Sequence, residues 1–214
     1  MSVYDLDVTN ALLSTTRSVR KRLDLERPVP RDIVMECIQL STQAPTGANE
    51  QSWRWVVVTA PQTRAVLADL YRKGAGSYLA ESNRATVTSG DPQTGRVFDS
   101  ARHLLNTLHR VPVHVIPCIR VRGVPADASR TTWTSVMGSI FPAVWSFQLA
   151  LRARGLGSVL TTLHLDYEQE AADLLGIPAD VVQVALLPVA YTIGTDFRPA
   201  KRRPAEKVTH WEHW

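Results

Sequence analysis

Apolar residues recur along this chain with two periods, which predict most of its helices and strands. Spacings of three and four residues predict helices from Leu6 to about Thr15, from Pro30 to about Thr42 and from Pro61 to about Tyr71. Runs rich in β-branched and aromatic residues predict strands at 53–59, 113–121, 158–162 and 181–193. Further helices are predicted at 101–108, 139–152 and 167–175.

Residues 72–100 show no clear period, and we expect loops and short helices there. The interruptions are glycines and one proline: Gly74, Gly76, Gly90, Pro92 and Gly95. A connection of this length in a compact protein is typical of a lid or of a wall of the substrate site. We therefore expect residues 72–135 to set the choice of substrate.

The predicted helix at 139–152 is apolar nearly all round, with Phe141, Val144, Trp145 and Phe147 on different sides. A helix that is apolar on every side is buried on every side. In a chain of this size, an interface between subunits is a natural place to bury it.

The order of these elements favours an α+β fold. Strands and helices do not alternate regularly, and no GxGxxG follows a predicted strand, which argues against a Rossmann dinucleotide site. We predict a single domain over 1–214, with a mostly antiparallel central sheet flanked by helices.

The composition of the chain argues against one kind of binding partner, a nucleic acid. The 214 residues carry a formal net charge of +4 at a pI near 9.3, but arginine is scattered along the chain rather than concentrated in a stripe. Scattered charge is typical of a solvated surface, so we expect no nucleic-acid partner.

Three features predict a cytoplasmic protein that has no membrane partner. Cys37 and Cys118 lie in apolar stretches without a CxxC spacing, as expected for buried, reduced thiols. The first residues carry acids where a signal peptide carries bases, and no uninterrupted apolar stretch approaches the roughly 20 residues of a bilayer span.

Two basic segments near opposite ends of the chain suggest an anion site. Arg17-Ser18-Val19-Arg20 and Lys201-Arg202-Arg203 both offer cations, and the arginine fork matches a phosphate. Each segment taken alone also fits an ordinary charged surface. If the two converge, they suit a phosphorylated ligand.

Two polar segments lie between them. The loop at 44–53 contains Pro45, Thr46 and Asn49 and leads directly into Trp53, which suits a flat, hydrogen-bonding ring as well as a plain turn. The segment at 155–164 contains Thr161 and Thr162, which are also simply good strand formers. With the basic segments, they point to FMN as the ligand.

Other chemistry finds little support. No GxSxG, HExxH or P-loop occurs, and the acidic residues form no evident pair. We expect no metal site, because His164 has no second ligand at a useful spacing.

Taken in order, these segments resemble the nitroreductase family of FMN-dependent oxidoreductases. The family pattern has an Arg-Arg-Ser-x-Arg element, an Ala-Pro-Ser-x-x-Asn-x-Gln-Pro-Trp loop, a Gly-Leu-rich segment after a long central helix and a basic cluster near the end. All four occur here in that order, between about residues 16 and 204.

The resemblance implies an intertwined homodimer with two FMN sites, each built from both subunits. Arg17, Ser18 and Arg20 would hold the phosphate, the ribityl chain and the N1–O2 edge of the flavin. Lys201 and Arg202 would clamp the phosphate. Pro45, Thr46 and Asn49 would come from the partner subunit, while Leu160, Thr161 and Thr162 would line the N5 side.

The chain departs from the family pattern at several positions. Thr16 stands at the first arginine, Thr46 at the serine, Ser52 at the proline before the tryptophan, and Thr192 at a common proline. Thr46 keeps the hydroxyl. The other departures bear on flavin affinity and indicate a divergent branch.

The implied activity is hydride transfer from NADH or NADPH through flavin N5 to a small planar acceptor, such as a nitroaromatic or a quinone, in a ping-pong cycle. No obligatory acid or base is predicted, and Arg20 would stabilise the reduced flavin. The alternatives are a non-catalytic flavin-binding or flavin-sequestering protein, and a family member that dehalogenates an aromatic or degrades flavin. A polyanion-binding module would bind no flavin.

Overall fold

The structure is a computed structural model that describes residues 3–89, 92–125 and 127–214. Its helices are α1 (Leu6–Thr15), α2 (Arg31–Ser41), α3 (Pro61–Ser89), α4 (Pro92–Thr107), α5 (Arg130–Ala153) and α6 (Glu168–Leu175). Its strands are β1 (Trp53–Val58), β2 (Val113–Arg120), β3 (Leu156–Ser158), β4 (Val181–Gln183) and β5 (Leu187–Tyr191). Short 3₁₀ turns lie at Gly47–Asn49, Leu108–Arg110, Leu163–Tyr167 and Ala205–Lys207.

The strands form one antiparallel sheet, which confirms the predicted fold class. β2 lies at the centre, β1 pairs with one of its edges, β4 and β5 pair with the other, and β3 follows β5. β2 is buried on both faces because helices cover the sheet on both sides.

Each face of the sheet has its own apolar core. Leu67 of α3 and Leu104 of α4 pack with Ile116 on one face. On the other face, Val34 of α2 and Phe147 of α5 pack with β2 and β5. The arrangement is a helix–sheet–helix sandwich, and residues of alternating direction along β2 contribute to both cores.

The prediction of loops and short helices over 72–100 was wrong, because two long helices occupy most of this stretch. α3 continues through this stretch to Ser89 and α4 begins at Pro92, while Gly90 lies outside the described residues. Gly74 is required for close packing and not for a turn, because an added Cβ would lie 1.9 Å from the carbonyl oxygen of Leu163. A glycine in a helix is tolerated where a neighbouring backbone comes this close.

The predicted strand at 181–193 is divided by a bulge. β2 offers two residues between its pairs with β4 and β5, whereas the facing chain has three, 184–186. Pro117 lies at this point and has no N–H to donate. Leu186 instead pairs with Thr161 in an isolated bridge. Of the short strand predicted at 158–162, only Ser158 belongs to a strand, the last residue of β3.

α5 begins nine residues before the predicted start, because the Ser129 side chain caps it by accepting from the Thr132 amide. It is the one helix of the described chain that is long and apolar enough to cross a bilayer by length and composition, and 39% of the apolar window is buried in the fold. Phe141 and Trp145 are exposed, so this chain alone does not bury the helix on every side.

Candidate functional site

The basic segment after α1 is held against β3 by Val19. The Val19 amide donates to the Ser158 carbonyl at 2.9 Å, and the Val19 side chain is buried. Gly157 makes this approach possible, because a Cβ there would lie 2.9 Å from the Val19 Cβ. Ser18 and Arg20, on either side of Val19 in the chain, line a cavity at this position.

A second segment reaches the same cavity from the end of β5. Arg22 donates to the Ile193 carbonyl at 2.7 Å and to Asp196 at 2.6 Å. The bond from Arg22 lowers the pKa of Asp196. The Phe197 ring lies between two guanidinium groups, 4.2 Å from that of Arg22 and 4.5 Å from that of Arg152. The residues that follow, 198–202, line the same cavity.

The cavity has a volume of about 850 Å³, and five residues predicted from the sequence line it: Arg17, Ser18, Arg20, Lys201 and Arg202. The two basic segments, from opposite ends of the chain, are therefore brought together. An Arg17 guanidinium nitrogen donates to the Arg198 carbonyl at 3.3 Å, which joins the first segment to the residues just before the second.

One face of α4 forms a further wall. A wall of the site was expected from residues 72–135, but its long helix and the individual lining residues were not predicted. Arg20 donates to the Ser100 hydroxyl at 3.5 Å, and Lys21 forms an ion pair with Asp99. The hydrogen bond from Lys21 lowers the pKa of Asp99. The lining residues of α4 are spaced as one helical face: Gln93, Arg96, Val97 and Ser100. This spacing of the lining residues could have predicted a helical face from the sequence, but the nearby glycines obscured the helical period.

Trp145 and Arg198 also line the cavity and were not predicted as site residues. Trp145 is exposed over 45% of its surface, so its indole contributes to the lining together with the basic segments. A flat aromatic surface next to a cationic end suits a planar ligand that carries a phosphate.

The loop at 44–53 does not reach this cavity, so Pro45, Thr46 and Asn49 lie apart from the basic segments of the same chain. It carries backbone strain, since Ala48, Asn49 and Gln51 have φ angles of 50°, 55° and 48°. Left-handed conformations are uncommon for residues with a Cβ and cluster at functional sites.

The surrounding contacts hold this strained loop in place. Gly47 donates its amide to the Ser139 hydroxyl of α5 at 3.0 Å, and the Trp53 indole donates to the Ser139 carbonyl at 2.7 Å. Within the loop, the Gln51 amide donates to the Thr46 hydroxyl at 3.3 Å. The loop is therefore exposed to solvent and anchored to α5.

The segment Leu160–Thr162 also lies outside the lining of the cavity. Thr161 is buried, and its hydroxyl donates to the Leu186 carbonyl at 2.8 Å. Leu160 and Thr162 are exposed. Any ligand contact of this segment therefore comes from those two residues and from backbone groups.

No cluster of histidine, cysteine and acidic residues among the described part of the chain has the geometry of a metal site. His164 is fully buried, and burial lowers its pKa to about 4, so it is neutral at physiological pH. Cys37 and Cys118 are free and buried, as predicted.

The chain resembles known proteins in sequence and in fold. The profile of the nitroreductase family matches residues 13–191. A Thermus thermophilus protein named NADH dehydrogenase is 27% identical over 216 residues, which cover 96% of this chain and 100% of the relative. Iodotyrosine deiodinase 1 of Rattus norvegicus is 26% identical, over 92% of this chain and 67% of its own length.

Among solved structures, an FMN- and NADPH-dependent nitroreductase from sphigopyxis sp. strain HMH superposes with a TM-score of 0.65 at 20% identity. The superposition covers 96% of this chain and 99% of that one. At this identity the likeness concerns the fold.

Proposed function

This chain belongs to the nitroreductase family of flavoprotein oxidoreductases, and from that premise we propose that it is an FMN-dependent NAD(P)H oxidoreductase acting on nitroaromatic or quinone-type acceptors. The observation that carries the proposal is the convergence of the 17–20 and 201–202 segments on one cavity of about 850 Å³. A volume of this size falls in the range of cofactor sites, and the lining combines cations with the indole of Trp145.

The donor set fits FMN at both of its ends. Arg17, Lys201 and Arg202 offer charge-assisted bonds to a phosphate, and Ser18 adds a hydroxyl. Arg20, steadied by Ser100, offers a cation for the N1–O2 edge, where negative charge collects on reduction. FMN bound there would supply hydride acceptance and donation at N5. The protein's part is to position the reactants, and no side-chain acid or base is assigned.

A homodimer completes the site in this proposal. α1 has no buried residue, although Leu6, Val8 and Leu13 are large and apolar. Phe141 and Trp145 of α5 are also exposed. Apolar surface of this extent marks an interaction surface, and a helix of ten residues is marginal without packing.

Pairing across these helices also gives the strained loop a role. Because the loop is anchored to Ser139 of α5, association through α5 would carry Pro45, Thr46 and Asn49 of one chain towards the cavity of the other. Leu160, Thr161 and Thr162 remain proposed contacts on the N5 side. Two reduced thiols support the cytoplasm as the compartment.

The test begins with the visible spectrum of the purified protein and an anaerobic titration with NADH and NADPH. We expect a bound flavin whose absorption is bleached by a nicotinamide donor. Arg20→Ala and Arg202→Ala should each weaken FMN binding about 10- to 100-fold, since a hydrogen bond to a charged group contributes about 1.5–3 kcal/mol. Arg122→Ala, outside the cavity, is the matched control and should change nothing. A protein that takes up no FMN would refute the proposal, and bound flavin that no donor bleaches would favour a non-catalytic flavin carrier.

Reductive dehalogenation is the second candidate, because relatives named iodotyrosine deiodinase are 24–26% identical over 84–92% of this chain. Release of iodide from 3-iodotyrosine by the chemically reduced, flavin-loaded protein would favour this activity. Turnover of nitroaromatics without iodide release would favour the first.

A further inference from the structure

The cavity carries more positive charge than the chain itself neutralises. Eight cationic side chains line it, together with one carboxylate, that of Asp196. Lys21 is paired with Asp99, and Arg22 with Asp196. Six cations have no carboxylate partner among the described residues: Arg17, Arg20, Arg96, Arg198, Lys201 and Arg202.

FMN accounts for only part of this charge. A phosphate monoester brings about two negative charges at neutral pH, and reduction of the flavin adds one more. The four cations proposed to contact FMN already balance this charge. Arg96 and Arg198 are therefore in excess of what the flavin needs, and like charges confined to one cavity repel each other unless an anion lies between them.

Both arginines line the same cavity as the residues proposed to hold the flavin. Arg96 lies one helical turn from Ser100, the residue that Arg20 contacts, which is about 6 Å along the axis of α4. The backbone of Arg198 is joined to the same group of residues, because its carbonyl accepts from Arg17 at 3.3 Å. Arg96 and Arg198 thus add two further guanidinium groups to the lining next to Arg17 and Arg20.

We propose that Arg96 and Arg198 bind a second phosphate monoester, the 2′-phosphate of NADPH, and that the protein therefore takes NADPH in preference to NADH. The proposal rests on the proposed function, since it concerns the electron donor of the same site. NADH has the same nicotinamide and pyrophosphate but lacks this monoester. A guanidinium fork matches a phosphate monoester bidentately, so the extra group selects between the two donors.

The test uses flavin-loaded protein whose FMN content is measured first. Binding of 2′,5′-ADP, 5′-AMP and inorganic phosphate is then compared by calorimetry, which requires no turnover. We expect 2′,5′-ADP to bind at least about 10-fold more tightly than 5′-AMP. Arg96→Gln and Arg198→Gln should each reduce that difference while leaving the FMN content unchanged.

Arg122→Gln is the matched control, since it removes a cation that is 78% exposed and lies outside the cavity. It should leave the preference for 2′,5′-ADP intact. Equal affinity for 2′,5′-ADP and 5′-AMP in the flavin-loaded protein would overturn the proposal. The proposal would also fail if the arginine variants weakened binding of a nitrobenzoate but not of the nucleotides, because the surplus charge would then serve an acidic acceptor. Failure to take up FMN would instead contradict the proposed function.

Discussion

The contact between Gly157 and Val19 predicts that one added methyl group disturbs both the fold and the flavin site. In Gly157→Ala, the new Cβ would lie 2.8 Å from the Thr192 Cγ2 and 2.9 Å from the Val19 Cβ. Carbon atoms in ordinary contact lie about 3.5–4.0 Å apart, so both neighbours must retreat. Overpacking of this kind typically lowers the free energy of unfolding by about 1–3 kcal/mol.

The same displacement should weaken FMN binding. Val19 is bonded through its amide to Ser158 at 2.9 Å, so it cannot move without displacing Ser18 and Arg20 on either side of it. The assays are urea denaturation of the apoprotein and quenching of FMN fluorescence on binding. For a chain of this length, each 1 kcal/mol corresponds to a fall in Tm of about 2–4 °C.

Gly76→Ala is the matched control, because no described atom lies within 4 Å of the added Cβ and Gly76 lies inside α3. It should raise the free energy of unfolding by up to about 1 kcal/mol and leave FMN binding unchanged. If Gly157→Ala binds FMN as the wild type does and unfolds at the same urea concentration, packing of Val19 does not position the basic segment.

Three further predictions concern buried polar groups. Burial lowers the pKa of His114 and His164 to about 4, so the unfolded chain binds more protons than the folded one below pH 6.5. The free energy of unfolding should therefore fall by about 3 kcal/mol per histidine as the pH approaches 4. A flat pH profile in urea denaturation would contradict this. Burial raises the pKa of Cys118 to about 12 and also raises that of Cys37, so a thiol reagent at pH 8 should label neither residue until the protein is denatured. Trp53→Phe removes a buried 2.7 Å bond to a carbonyl and should destabilise the protein by about 1–3 kcal/mol, measured by thermal denaturation; an unchanged Tm would show that water replaces the indole.

Local patterns predicted those elements whose sequence and packing agree. α1 and α2 begin and end within one residue of the prediction, since each has clear boundary residues and an apolar face of helical period. The antiparallel sheet followed from the absence of regular alternation between strands and helices. These features depend on residues close together in the chain.

The errors arose where a distant contact determined the structure. Gly74 interrupts the helical pattern locally, but its role is to let α3 pack against the Leu163 carbonyl. The break between β4 and β5 depends on Pro117 in a neighbouring strand. Neither contact is visible in the local sequence.

The candidate site likewise contains residues that were predicted from the sequence and residues that were not. The approach of Arg17 and Arg20 to Lys201 and Arg202 was expected from residue chemistry and family resemblance, and the fold brings them to one cavity. Arg96 was not predicted, because the glycines around it conceal the period of its helix. The loop with Asn49 was singled out for its polar residues, and its strained backbone became visible only in the structure.

The central claim is that the two basic segments bind one flavin phosphate, and comparison of FMN with riboflavin tests it most directly. Riboflavin has the same ring system but no phosphate. Equilibrium titration should give FMN an affinity at least about 100-fold higher than that of riboflavin, and Arg17→Gln combined with Arg202→Gln should remove most of that difference. Equal binding of FMN and riboflavin by the wild-type protein would contradict the account.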